Sequence, residues 1–164
     1  MSLNFLTGTL PKSLLFNTTL LERLHLSGNR LGEELPLPEG LGQMTSLQTL
    51  DLSTNQFFGT IPEAIGEVGG SLIELRLDKN FLTGQLPTNV SRLSNIEILS
   101  LSENSLSVLP TDLTSLTELR ELQLSTNIFD EIPEEYFNSF QNLGKFCGVN
   151  KELLPSCEHS KSNG

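Results

Sequence analysis

Positive charge is scarce in this 164-residue chain: ten lysines and arginines stand against twenty aspartates and glutamates, a formal net charge of −10. With no basic patch, nucleic acid is excluded as a partner, and anionic lipid and acidic glycans are disfavoured for the same reason. Long apolar runs are missing too. No stretch of about 20 apolar residues exists to insert directly into a membrane as a helix, and no charged-then-apolar leader opens the sequence. Cysteine is reduced to Cys147 and Cys157, and only His159 lies near that pair. That falls short of the four ligands of a tetrahedral zinc site, so no metal and no cofactor is indicated. There is no phosphate-cradling glycine loop, kinase lysine or catalytic-loop motif. Hydrophobic content is 37%, spread without a linker or a low-complexity break.

What the chain does have is a beat. Asn4, Asn29, Asn55, Asn80, Asn104 and Asn127 follow one another at intervals of 25, 26, 25, 24 and 23 residues. Each of the last five closes the same phrase: Leu21–Leu24–Leu26–Asn29, Leu47–Leu50–Leu52–Asn55, Leu72–Leu75–Leu77–Asn80, Ile96–Leu99–Leu101–Asn104 and Leu119–Leu122–Leu124–Asn127. The last two apolar positions of each phrase alternate with polar ones, so one short strand turns its leucines inward and its other residues out. Such a strand cannot bury its face alone; stacking the next copy buries it and pairs the backbones in a parallel sheet. The asparagine amide carries donors and an acceptor, which suits a turn that would otherwise orphan backbone groups, and stacked asparagines should form an internal ladder.

The second half of each copy is patterned as well. Leu6, Leu31, Phe57, Leu82, Leu106 and Phe129 follow an asparagine by two, Gly8, Gly59 and Gly84 by four, and Pro11, Pro36, Pro62 and Pro87 by seven. Apolar residues further on (Leu41, Met44, Ile65, Val90, Leu93, Leu113 and Leu116) should anchor a return segment. A period in the twenties built on L-x-x-L-x-L-x-x-N resembles the leucine-rich repeat. The continuation FLTGTLP, FFGTIP and FLTGQLP resembles the plant-type repeats of receptor-like kinases, receptor-like proteins and polygalacturonase-inhibiting proteins. The resemblance implies an α/β fold: a right-handed leucine-rich repeat solenoid, or horseshoe, with a parallel concave sheet and short helical, 3-10 or irregular convex segments. The second copy departs, with its glycine one place early in RLGEELPLP. The last two, SLSVLP and IFDEIP, lack the glycine and resemble shorter repeats that also occur inside cells.

The repeats are assigned to residues 1–142, a C-terminal cap to 143–158 and a disordered tail to 159–164. Met1 enters in the middle of a copy, which reads as the C-terminal piece of a longer protein. The segment KFCGVNKELLPSC resembles the closing cap of plant-type extracellular repeats, which implies a Cys147–Cys157 disulfide in an oxidising compartment; two reduced thiols in a cytosolic protein remain the alternative. Asn17-Thr-Thr and Asn89-Val-Ser match the N-glycosylation sequon. Asp130, Glu131, Glu134 and Glu135 read as a solvated acidic helix start rather than a calcium site.

The register of the leucines also states which residues face outward from the concave sheet. One column is Arg23, Thr49, Glu74, Ile98 and Glu121; the next is His25, Asp51, Arg76, Ser100 and Gln123; a third is Ser27, Ser53, Asp78, Ser102 and Ser125. His25, Asp51 and Arg76 should then form a charged ladder, with Arg76 and His25 as basic anchors for a protein or peptide partner, or a co-receptor. The serines belong to the repeat grammar itself. Ser27, His25 and Asp51 sit on an open, wet sheet without oxyanion donors, so no catalytic residue is assigned. The function these features point to is recognition by a receptor-like or inhibitor-like module outside the cell or at its surface. The alternative is a cytoplasmic adaptor.

Overall fold

The computed structural model describes residues 4–11, 14–15, 20–32, 36–140 and 143–147. In chain order the strands are β1 (Thr7–Gly8), β2 (Arg23–His25), β3 (Arg30–Leu31), β4 (Thr49–Asp51), β5 (Phe58–Gly59), β6 (Glu74–Arg76), β7 (Phe81–Gln85), β8 (Ile98–Ser100), β9 (Ser105–Val108), β10 (Glu121–Gln123) and β11 (Lys145–Cys147). β2, β4, β6, β8, β10 and β11 lie side by side in one parallel sheet, each paired with the strand one coil away. The middle residues Leu24, Leu50, Leu75, Leu99 and Leu122 are in register, and Phe146 continues the row in β11. This is the solenoid that the repeat period predicts. β11 was not foreseen: the segment read as a cap begins by adding a sixth strand. From residue 148 that segment, with Cys157, lies outside the described residues.

Leu50, Leu75, Leu99 and Leu122 are fully covered, as are Leu52, Leu101 and Leu124. Each such leucine contributes about 1.5–3 kcal/mol on burial, and each needs the neighbouring coil to be buried at all. β2 makes the point by contrast. It is the last strand of the sheet, and its Leu24 and Leu26 are only half-buried.

After each strand the chain turns over the asparagine. Asn80 is buried, and its Oδ1 accepts the Phe57 N–H of the preceding coil at 3.1 Å. Its Nδ2 faces the Leu77 carbonyl of its own coil at 3.1 Å and the Leu52 carbonyl of the preceding one at 3.0 Å. The same link recurs from Asn29 to Leu6, Asn55 to Leu31, Asn104 to Leu82 and Asn127 to Leu106, at 2.9–3.1 Å. The residue before each asparagine is left-handed: Gly28 at φ +70°, and Thr54, Lys79, Glu103 and Thr126 at φ +54° to +57°. Side chains rarely accept that conformation, least of all β-branched threonine.

Beyond the asparagines the chain pairs again. β1 lies beside β3, and β5, β7 and β9 form a second parallel sheet on the flank of the coil. The early glycine of the second copy has a reason there. Gly32 sits at φ +91°, and a Cβ added to it would lie 2.5 Å from the Phe57 ring. Proline then starts each return. Pro38, Pro62, Pro87 and Pro110 are extended, and each carbonyl accepts the amide three residues on, opening the 3-10 turns Glu39–Gln43, Glu63–Ser71, Thr88–Arg92 and Thr111–Ser115. In the second copy the turn starts at Pro38, two places after Pro36. The last return is a short α-helix, Glu135–Ser139, at whose start Glu134 and Glu135 stand. Its Tyr136 is buried, and the phenol donates to the Pro110 carbonyl at 2.6 Å. Burial holds the Tyr136 pKa well above its ordinary value, with Asp112 and Glu135 adding in the same sense.

Three outcomes test this description. Asn80→Leu should lower stability by roughly 1–3 kcal/mol, because the Phe57 amide and two carbonyls lose a buried partner; denaturant unfolding measures it, and a loss under about half a kilocalorie would contradict the ladder. Gly32→Ala should cost about 3 kcal/mol by the same measurement, combining left-handed strain with overpacking against Phe57. Tyr136 is the only tyrosine, so phenolate absorbance reports it alone. A pKa raised by folding gives stability that is complete below the unfolded value near 10 and lost as pH climbs above it. Unfolding free energy should therefore fall above pH ~10, and that slope should be shallower in Tyr136→Phe.

Candidate functional site

The concave sheet brings its outward residues into three rows. Arg23, Thr49, Glu74, Ile98 and Glu121 are register partners, and so are His25, Asp51, Arg76, Ser100 and Gln123. Their environments differ along each row. Thr49, between Arg23 and Glu74, is buried. So is Ser100, whose hydroxyl lies 2.9 Å from Asp78 Oδ1 and 3.3 Å from Gln123 Oε1. Taking these two as partner contacts was therefore mistaken: neither presents a surface. Arg23 and His25 are exposed, and Asp51, Glu74, Arg76, Asp78, Ile98, Glu121 and Gln123 are half-exposed.

The charged ladder is contiguous in register but bonds along each coil rather than across coils. Asp51 accepts the Ser53 amide at 3.0 Å and the Ser53 hydroxyl at 2.7 Å. The Arg76 guanidinium donates to Glu74 on its own strand, and Gln123 donates to Glu121 on its own. Burial works to lower the Arg76 pKa, but the hydrogen bond and charge of Glu74, with Glu121 and Asp51, carry it above its ordinary value. Arg76 is thus a cation already neutralised. In the serine column, Ser125 donates to or accepts from Ser102 at 3.0 Å, so that row is stitched to itself. On the rim, Lys79 pairs with Glu103 at 3.5 Å and Arg120 with Glu97 at 3.4 Å.

The other singled-out residues lie elsewhere. Asn89 is half-exposed on the convex side, packed so closely that a Cβ on Gly66 would meet its carbonyl oxygen at 2.2 Å. Asn17 falls outside the described residues. Asp130, Glu131, Glu134 and Glu135 line a groove of about 500 Å³ with Val108, Leu109 and Ile132 at the helix start. Among the described residues no group of three or more His, Cys, Asp or Glu is arranged to hold a metal, and no helix is long and apolar enough to cross a membrane. The concave rows contain no aromatic side chain, but the flanking sheet does. Phe58 and Phe81 face each other in register and are exposed, and the Arg30 guanidinium lies 5.4 Å from the ring centre of exposed Phe5. Phe81 and Phe5 each immediately follow a repeat asparagine, the one sequence signal that could have marked them.

Comparison with known proteins agrees with this geometry. Family models described as "Leucine rich repeat" and "Leucine Rich repeats (2 copies)" match residues 70–129 and 19–65. Receptor-like protein 45 of Arabidopsis thaliana is 40% identical over 95 residues, covering 58% of this chain and 10% of that protein. The chain thus spans about a tenth of the length of the curated relatives it matches. Among solved structures, the HAESA ectodomain of Arabidopsis, bound to an N-terminally extended IDA peptide hormone, superposes with a TM-score of 0.83 at 32% identity, over 90% of this chain and 24% of that one. The plant peptide hormone receptor RGFR1, in complex with RGF2, gives 0.82 at 34% identity, over 88% and 23%. HAESA is also known in complex with IDA and the co-receptor SERK1. Repeat phrase, coil geometry and relatives converge, and this chain belongs to the leucine-rich repeat proteins of the plant type.

Proposed function

We propose that this chain is part of an extracellular or cell-surface recognition module that holds a peptide or protein ligand against its concave sheet between β2 and β10. The observation that carries the reading is the set of half-exposed polar side chains, Asp51, Glu74, Glu121 and Gln123, held by bonds within their own coils, and Asp78, held by Ser100 of the next. Such a surface is preorganised, so little side-chain freedom is lost when a ligand settles on it. Its relatives HAESA and RGFR1 are receptors seen with peptide hormones, and HAESA with a co-receptor, which supports a ligand of that kind here. The module works by holding rather than by chemistry, since an open sheet excludes no water and offers no enclosed place for a reacting group. A Cys147–Cys157 disulfide and glycans at Asn17 or Asn89 belong to the same reading, on the side of the molecule away from the ligand for Asn89.

Selection of peptides from a random display library against the full chain tests the assignment. Asp78→Ala, Glu121→Ala and Gln123→Ala should each weaken the selected peptides by about fivefold or more where they sit centrally. Glu118→Lys, outside the sheet face, should leave binding unchanged. Selected peptides that ignore all three concave substitutions would overturn the proposal.

A further inference from the structure

From β2 to β10, charge on the concave face is ordered along the stacking direction, and β11 then brings Lys145 into register with Glu121. At β2 the outward positions carry Arg23 and His25, both exposed, and neither has a bonded partner among the described residues. From β4 to β10 the same rows carry Asp51, Glu74 and Glu121, with Asp78 in the adjoining row, against one cation, Arg76, which Glu74 already holds. Between the carboxylates, half-exposed Ile98 offers an apolar resting place on β8, of the kind along which the stem of a lysine or arginine lies while its head reaches a carboxylate.

We propose that the face takes an extended, dipolar peptide laid across the strands, with an acidic side chain over Arg23 and His25 and basic side chains over β4 to β10. This deepens the reading of the concave sheet as the ligand site and rests on it. The dimensions set the spacing. Neighbouring strands lie about 4.8 Å apart, so the four intervals from β2 to β10 span about 19 Å. An extended peptide advances about 3.3–3.6 Å per residue, so about six residues cover the face. The first basic residue belongs two or three positions from the acidic one, over Asp51 and Glu74, and the second near the far end, over Glu121. Opposite charges meet at both ends of such a ligand, and like charges meet when it is shifted or uniformly acidic, so the pattern fixes register as well as partner.

The test uses fluorescent, end-blocked hexapeptides titrated into the full chain: Asp-Ser-Gly-Arg-Ser-Lys, its neutral counterpart with Asn and Gln at the charged positions, and a form with Lys in place of Asp. The dipolar peptide should bind about tenfold tighter than the neutral one at low salt, with the advantage shrinking as ionic strength rises. Arg23→Glu should lose most of that advantage and regain it with the Lys-ended peptide. Asp51→Asn combined with Asp78→Asn should lose it for every peptide, and Glu118→Lys should lose none. Equal affinity for the dipolar and neutral peptides, or a loss in Arg23→Glu that the Lys-ended peptide does not recover, would overturn the proposal. If library-selected peptides still depend on the concave residues in that event, the charge order alone is wrong. If they ignore those residues too, the ligand site lies elsewhere.

Discussion

One side-chain amide joins each coil of this protein to the next. Five asparagines, Asn29, Asn55, Asn80, Asn104 and Asn127, each accept a backbone N–H from the coil before and donate to carbonyls of their own. Leucine burial supplies most of the stabilisation, but it is non-directional and would tolerate a slipped coil. The asparagine bonds do not. They hold the turn after each strand at one height against its neighbour, and that height sets which side chains become row-mates on the concave face. The order of charge along the concave face follows from that height together with the backbone pairing of the strands.

The ladder also explains a strain that the sequence carries without advertising it. To bring each asparagine inward, the residue before it takes a left-handed conformation, and only Gly28 is chemically suited to that. Thr54 and Thr126 accept it in spite of their branched side chains, and each carbonyl accepts the amide of the asparagine one coil before, Asn29 and Asn104. Gly28 is the one hint at this offset in the sequence, and a single glycine among two threonines, a lysine and a glutamate does not stand out.

Much of the fold is legible in the repeat because stacking makes local pattern and global position the same thing: a leucine at a given offset must face the core, and its neighbour must face out. Rows such as Arg23–Thr49–Glu74 follow from that alone. What the pattern does not encode is how much of an outward side chain its neighbours leave open. Thr49 and Ser100 are outward by register yet buried, Ser100 within hydrogen-bond reach of Asp78 and Gln123 on the coils either side. Arg76 is outward and charged yet spent on Glu74 two residues away, a choice made by rotamers rather than by offsets. β11 escaped notice because its phrase lacks the asparagine that marks the other strands, and only Leu143 and Phe146 keep the beat.

The chain spans about a tenth of the length of Receptor-like protein 45, and within that span the ladder and the strand pairing together decide how the coils are seated. The ladder is tested most directly by native-state hydrogen exchange of the Phe57 and Leu82 amides. Each donates to an asparagine side-chain oxygen, Asn80 for one and Asn104 for the other. If the asparagines join the coils, these amides exchange as slowly as those of the central strands, through global opening. Exchange at the rate of exposed loop amides would mean that the asparagine side chains do not join the coils, and the account would fail.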